Sequence, residues 1–149
     1  MHENRNRCYS KAGLAEGTNA NTFKIAAPNG AGVDFSINGV MYHKADADNL
    51  AFSSGHTALA ASQQCVFGVY LDTGGNVTTA QGPIKSVGSD LAVLPWPGPQ
   101  NGKCLIGGIV VETSSSGAFT AGSTDLGDAQ VTDTYVDCDG IPPQAVNLY

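Results

Sequence analysis

Two stretches of this chain are written to nearly the same plan, and a chain that carries the plan twice has few folds open to it. The first runs Cys65-Val66-Phe67-Gly68-Val69-Tyr70-Leu71-Asp72-Thr73, then Gly74-Gly75, then residues 76–82; the second runs Cys104-Leu105-Ile106-Gly107-Gly108-Ile109-Val110-Val111-Glu112-Thr113, then Ser114-Ser115-Ser116-Gly117, then Ala118-Phe119-Thr120-Ala121-Gly122. Each has a cysteine, a glycine three residues on, a β-branched and aromatic run, an acid followed by threonine, a small-residue turn and a threonine-bearing return. Such runs between turn clusters mark strands, and Gly and Ser in the turns supply positive φ or local hydrogen bonds. The spacing predicts two β-hairpins at the centre of an all-β domain, either a β-sandwich or a jelly-roll-like barrel of short antiparallel strands. In the first hairpin Cys65, Phe67, Val69 and Leu71 share one parity and point inward. Because Val66 and Tyr70 on the other parity are also apolar, that strand is expected to be central or covered on both faces.

The sharpest local signal lies earlier. Residues 33–37 and 40–44 flank Asn38-Gly39, the preferred pair for a two-residue type I′ turn. That turn sets the register, with Ile37 opposite Val40, Phe35 opposite Tyr42, and Asp34 opposite His43 on the other face. Residues 22–26 alternate like a strand ended by Pro28-Asn29-Gly30, residues 45–52 fit one helical turn, and residues 130–136 form a last strand. Pro95-Trp96-Pro97-Gly98-Pro99 cannot donate to a ladder at its prolines and reads as a loop. Its tryptophan either caps the core or anchors a partner.

Length and charge bound the remaining choices. At 149 residues the chain fits one domain. Residues 1–22 have few large apolar groups and read as an extended N-terminal arm, either disordered or ordering against a partner. The β-sandwich body is expected over 23–140, and 141–149, bearing Val146, Leu148 and Tyr149, form a C-terminal tail apolar enough to pack on something. A net charge of −6, from 7 basic and 13 acidic residues, disfavours nucleic acid as a partner. No run of about 20 apolar residues marks a membrane helix, and the polar start has no apolar core of a secretory signal. A soluble protein made in the cytoplasm is expected. The charge is also uneven: Arg5, Arg7 and Lys11 open the chain, no Lys or Arg follows Lys103, and Glu112, Asp125, Asp128, Asp133, Asp137 and Asp139 lie beyond it.

Candidate chemistry is thin. Cys8, Cys65, Cys104 and Cys138 show no CxxC spacing and no Cys/His cluster, which argues against zinc, and a chain without a secretory signal keeps its thiols reduced. A Cys/His dyad drawn from Cys65 or Cys104 with His43 or His56 would place a nucleophile on an apolar strand, whereas reactive thiols need an electropositive, accessible setting. Asp46 and Asp48 lack the glycine and terminal glutamate of an EF-hand loop. Asp137 and Asp139 have no evident substrate groove. Gly107-Gly108 sits inside a strand rather than before a helix, so it is no phosphate loop and marks a bulge or a close backbone approach. No catalytic residue, metal or cofactor is expected.

The residues 35–40 hairpin, the 45–52 turn, Tyr70-Leu71-Asp72 with its Gly-rich turn, the 106–111 strand and Phe119-Thr120-Ala121-Gly122-Ser123-Thr124-Asp125-Leu126 together resemble small structural proteins of tailed-bacteriophage virions, across roughly residues 33–136. The resemblance implies a non-enzymatic capsid decoration or cement protein, bound to the major capsid protein on the outside of the head and to copies of itself. Its location would be the virion surface. Arg5, Arg7, Lys11, Trp96, Leu148 and Tyr149 are the candidate partner-binding residues. One alternative is a fibre module that reads host glycan through Trp96, Tyr42 or His43. A second is a secreted, disulfide-linked enzyme or inhibitor.

Overall fold

The computed structural model describes residues 6–88 and 94–138. In chain order the strands are β1 (Arg7–Cys8), β2 (Leu14–Glu16), β3 (Phe23–Ile25), β4 (Val33–Ile37), β5 (Val40–Lys44), β6 (Ala47–Leu50), β7 (Gln63–Asp72), β8 (Val77–Gln81), β9 (Lys85–Ser86), β10 (Lys103–Thr113) and β11 (Val131–Asp137), with one 3-10 turn at Pro28–Gly30. All pairings are antiparallel. A five-stranded sheet runs β11-β10-β7-β8, with β9 on β7. Two three-stranded sheets, β1-β4-β5 and β2-β3-β6, complete the fold. Their apolar faces meet the inner face of the large sheet in one core. The result is an all-β, sandwich-like architecture without a closed barrel, so the jelly-roll-like barrel is not formed.

The inward parity of β7 holds, with Cys65, Phe67, Val69 and Leu71 fully buried. Phe67 centres an aromatic cluster, with Phe52 at 5.2 Å and Phe119 at 5.9 Å between ring centroids. β7 and β8 form the expected first hairpin. The second hairpin does not form. After Thr113 the chain turns at Ser114 to Gly117, and Phe119 drops into the core, making only a single bridge to Leu59. Burying that ring under Phe67 takes residues 118–122 off the edge of β10, and β11 pairs there instead.

Gly107-Gly108 marks both a bulge and a close approach. The register of β10 against β7 slips between Leu105 and Gly107, so Cys104 and Ile106 face inward before the slip and Ile109 and Val111 after it. A β-carbon on Gly107 would lie 2.4 Å from Leu14, and one on Gly108 would lie 2.5 Å from the Trp96 ring.

Two further expectations are corrected. Residues 45–52 hold strand β6 rather than a helical turn, because Phe23 and Ile25 need a covering neighbour and Asn49 takes φ 54°, which breaks a helix. The described part of 1–22 is not an arm. β1 pairs with β4, β2 pairs with β3, and Cys8, Ala12 and Leu14 are buried. These small groups fold because strands supplied from far along the chain cover them. The end of the body at 139–140 and the tail at 141–149 lie outside the described residues.

Candidate interaction surface

The β1-β4-β5 sheet carries the exposed large apolar side chains, Tyr9 and Met41 toward its outer face and Val40 beside the turn on the face of Ile37. Asn38 (φ 52°) and Gly39 (φ 79°) adopt the left-handed conformation a type I′ turn requires, and the register between β4 and β5 is the expected one. Alternation then sends Cys8, Val33, Phe35 and Ile37 into the core and Arg7, Tyr9, Asp34, Ser36, Met41 and His43 outward. Among the described residues the exposed large hydrophobics are Tyr9 (51%), Val40 (55%) and Met41 (58%), all on this sheet or directly following its first strand. The Tyr9 amide donates to Asp34 O at 2.8 Å, and its hydroxyl lies 3.3 Å from Ser36 Oγ, so both ends of the residue are held against β4.

Charge frames this patch. Arg7 and Lys11 are exposed, and His43 Nδ1 meets Asp34 Oδ1 at 2.6 Å with both side chains half exposed. A solvated pair of that kind adds only about 0–1 kcal/mol; its main effect is to fix the His43 ring against β4. Of the candidate partner-binding residues, Arg7 shares the outer face with Met41, Lys11 is exposed beyond the end of β1, and Arg5, Leu148 and Tyr149 lie outside the described residues. Tyr9 and Met41 were missed in the sequence. The alternation Arg7-Cys8-Tyr9, with cysteine inward, is the signal that marks Tyr9 as outward.

Trp96 sits elsewhere, on the outer face of the large sheet. Gly108 pairs with Gly68, and Gly68 with Ala80, so a shallow trough crosses β10, β7 and β8. Pro95-Trp96-Pro97 lies over it, with the Trp96 ring against Gly108 and Pro97 against Gly68. Tyr70 Oη donates to Gly98 O at 2.7 Å and anchors the strap; burial pushes that phenol up to about 12. Trp96 thus covers the second apolar face of β7. Of the residues offered for a glycan site, Trp96 lies on the large sheet, Tyr42 stacks on Phe35 at 5.7 Å, and its neighbour His43 points to the opposite face of β5.

The thiols and His56 are packing groups. All four cysteines are buried, and Cys65 and Cys104 are free thiols. Burial pushes the Cys65 thiol up to about 11 and the Cys104 thiol up to about 12. The His56 ring packs edge-on to Phe67 at 5.2 Å, bonds Thr79 Oγ1 through Nε2 at 2.7 Å, and is held below its ordinary pKa by partial burial. Asp46 accepts from the Ala27 amide and Asp48 from the Thr18 amide. Each of these carboxylates ties one loop to another.

The class defined by fold and surface is an antiparallel sandwich-like protein that, among the described residues, exposes Tyr9 and Met41 beside Arg7. No family model, curated protein or solved structure matches the chain.

Proposed function

We propose that this protein is a structural component of a tailed-phage virion, a decoration protein that binds the major capsid protein on the outside of the head and reinforces it. The sequence resemblance suggests the setting. The observation that carries the reading is the Arg7–Tyr9–Met41 face, where two exposed apolar side chains and an exposed cation share one side of a sheet. Arginine and tyrosine are the side chains most enriched at energetic hot spots, and a sheet holds them at low entropic cost. Many such weak sites repeated over a lattice add up to firm attachment.

The test is co-sedimentation of the purified protein with heads that lack it. Wild-type protein should pellet with the heads, and Tyr9→Ala together with Arg7→Ala should weaken binding by at least tenfold while leaving the melting temperature nearly unchanged. Absence of binding, or equal binding by the double variant, would overturn the reading.

A further inference from the structure

We infer that β5 is a self-association edge: two copies pair β5 against β5 about a two-fold axis at Tyr42, joining their β1-β4-β5 sheets into one six-stranded sheet. This goes beyond the capsid reading and does not depend on it.

The argument begins with which backbone groups the turn leaves outside. In a two-residue hairpin the pairs Ile37/Val40, Phe35/Tyr42 and Val33/Lys44 bond inward, and the amides and carbonyls of Met41 and His43 point away from β4. The complementary groups on β4 behave accordingly, since Asp34 O accepts from the Tyr9 amide and Asp34 N donates to Ser10 Oγ, both on the β1 side. Nothing among the described residues bonds to the outward groups of Met41 and His43.

Among the described residues the other edges are charged or tied down. β11, the edge of the large sheet, carries the carboxylates Asp133 and Asp137, and charge on an edge disfavours pairing with a second copy. On β8, Thr79 N donates to Ser53 Oγ, and Gln81 holds Thr57. The β2 edge gives its Leu14 amide to Asp137 on β11. Asn49 kinks β6, and its amide turns to Asp48. Asn6, at the start of β1, reaches Lys103 O. β5 has five regular residues with no proline, glycine or bulge, and it differs from the other regular edges in carrying two of the exposed large hydrophobics, Val40 and Met41. Unprotected edges of this kind template pairing with another strand.

A second copy satisfies this edge in one register better than in others. With Tyr42 on the axis, Met41 faces His43 of the other copy twice over, and each pair exchanges two bonds. Moving the axis to Met41 or His43 leaves one complete pair within the strand, and the His43 axis also sets two histidines face to face. Charge fits the Tyr42 register too. Lys44 is the only formal charge on β5; it falls opposite Val40 of the other copy, where its alkyl stem covers the exposed valine and no lysine faces another. Isologous two-fold pairing is also the commonest way identical chains associate.

Sedimentation velocity over a dilution series tests the proposal, with Val40 as the register-specific probe. Wild-type protein should show a concentration-dependent monomer–dimer equilibrium. Val40→Lys, which sets lysine opposite Lys44, should weaken the dimer several-fold, and Val40→Glu should tighten it several-fold, with high salt shrinking the difference. His43→Pro deletes an outward amide and should yield monomer; if that variant misfolds by circular dichroism, the two Val40 variants still decide. A wild-type protein that stays monomeric to about millimolar, or Val40 variants that move the equilibrium in the same direction or not at all, would overturn the pairing. Head binding by a strictly monomeric protein would overturn this inference while leaving the capsid reading standing.

Discussion

Cys65 and Cys104 occupy the places of small apolar residues, and their chemistry follows from that. Neither thiol has any solvent exposure, so the charged thiolate loses its hydration and protonation is favoured. Their pKa values rise from an ordinary 9.0 to about 11 and about 12. Below pH 9 the thiols are protonated whether the chain is folded or not, and their contribution is fully present. As pH rises from 9 toward 11 and 12 the unfolded chain releases protons that the folded chain keeps, so unfolding becomes easier. Urea midpoints should therefore be level with respect to these groups between pH 7 and 8.5 and fall from pH 9 upward. A Cys65→Val/Cys104→Val variant should fall less steeply. An equal alkaline decline in both proteins would show that other groups carry it.

The strap over β7 and β10 shows how an element depends on residues that are far apart in sequence. Gly68 and Gly108 become a trough only because the register sets them side by side, and a methyl at Gly108 would collide with the indole. Gly108→Ala should lift Trp96, shift its fluorescence to the red and cost about 1–3 kcal/mol. Gly98→Ala, facing open space, serves as the control and should change neither. Local chemistry made the Asn38-Gly39 hairpin and the β7–β8 pair legible, because turn residues alone decide them. The partner of β10 was not legible, since Phe119 is drawn off the edge by aromatic packing that no local pattern reveals. The surface was half legible: Arg7 and Lys11 stand out as charge, whereas the exposure of Tyr9 and Met41 follows from strand register.

At the scale of the whole molecule, the opening residues are structural. Leu14 packs on Gly107 and its amide donates to Asp137 Oδ1 at 3.1 Å. Leu14→Ala should cost about 2–5 kcal/mol in chemical denaturation. Deleting residues 1–22 should abolish the cooperative melt, because two strands and three buried side chains leave with them. A truncated protein melting at the wild-type temperature would restore the arm reading. The Leu14–Asp137 bond spans 123 residues, and a ribosome adding about 5–20 residues per second needs roughly 6–25 s to cover that separation. Each nascent chain can thus pair β2 with β3 early, yet it holds the Leu14 amide open until Asp137 has been made, so the opening segment is closed only when β11 arrives.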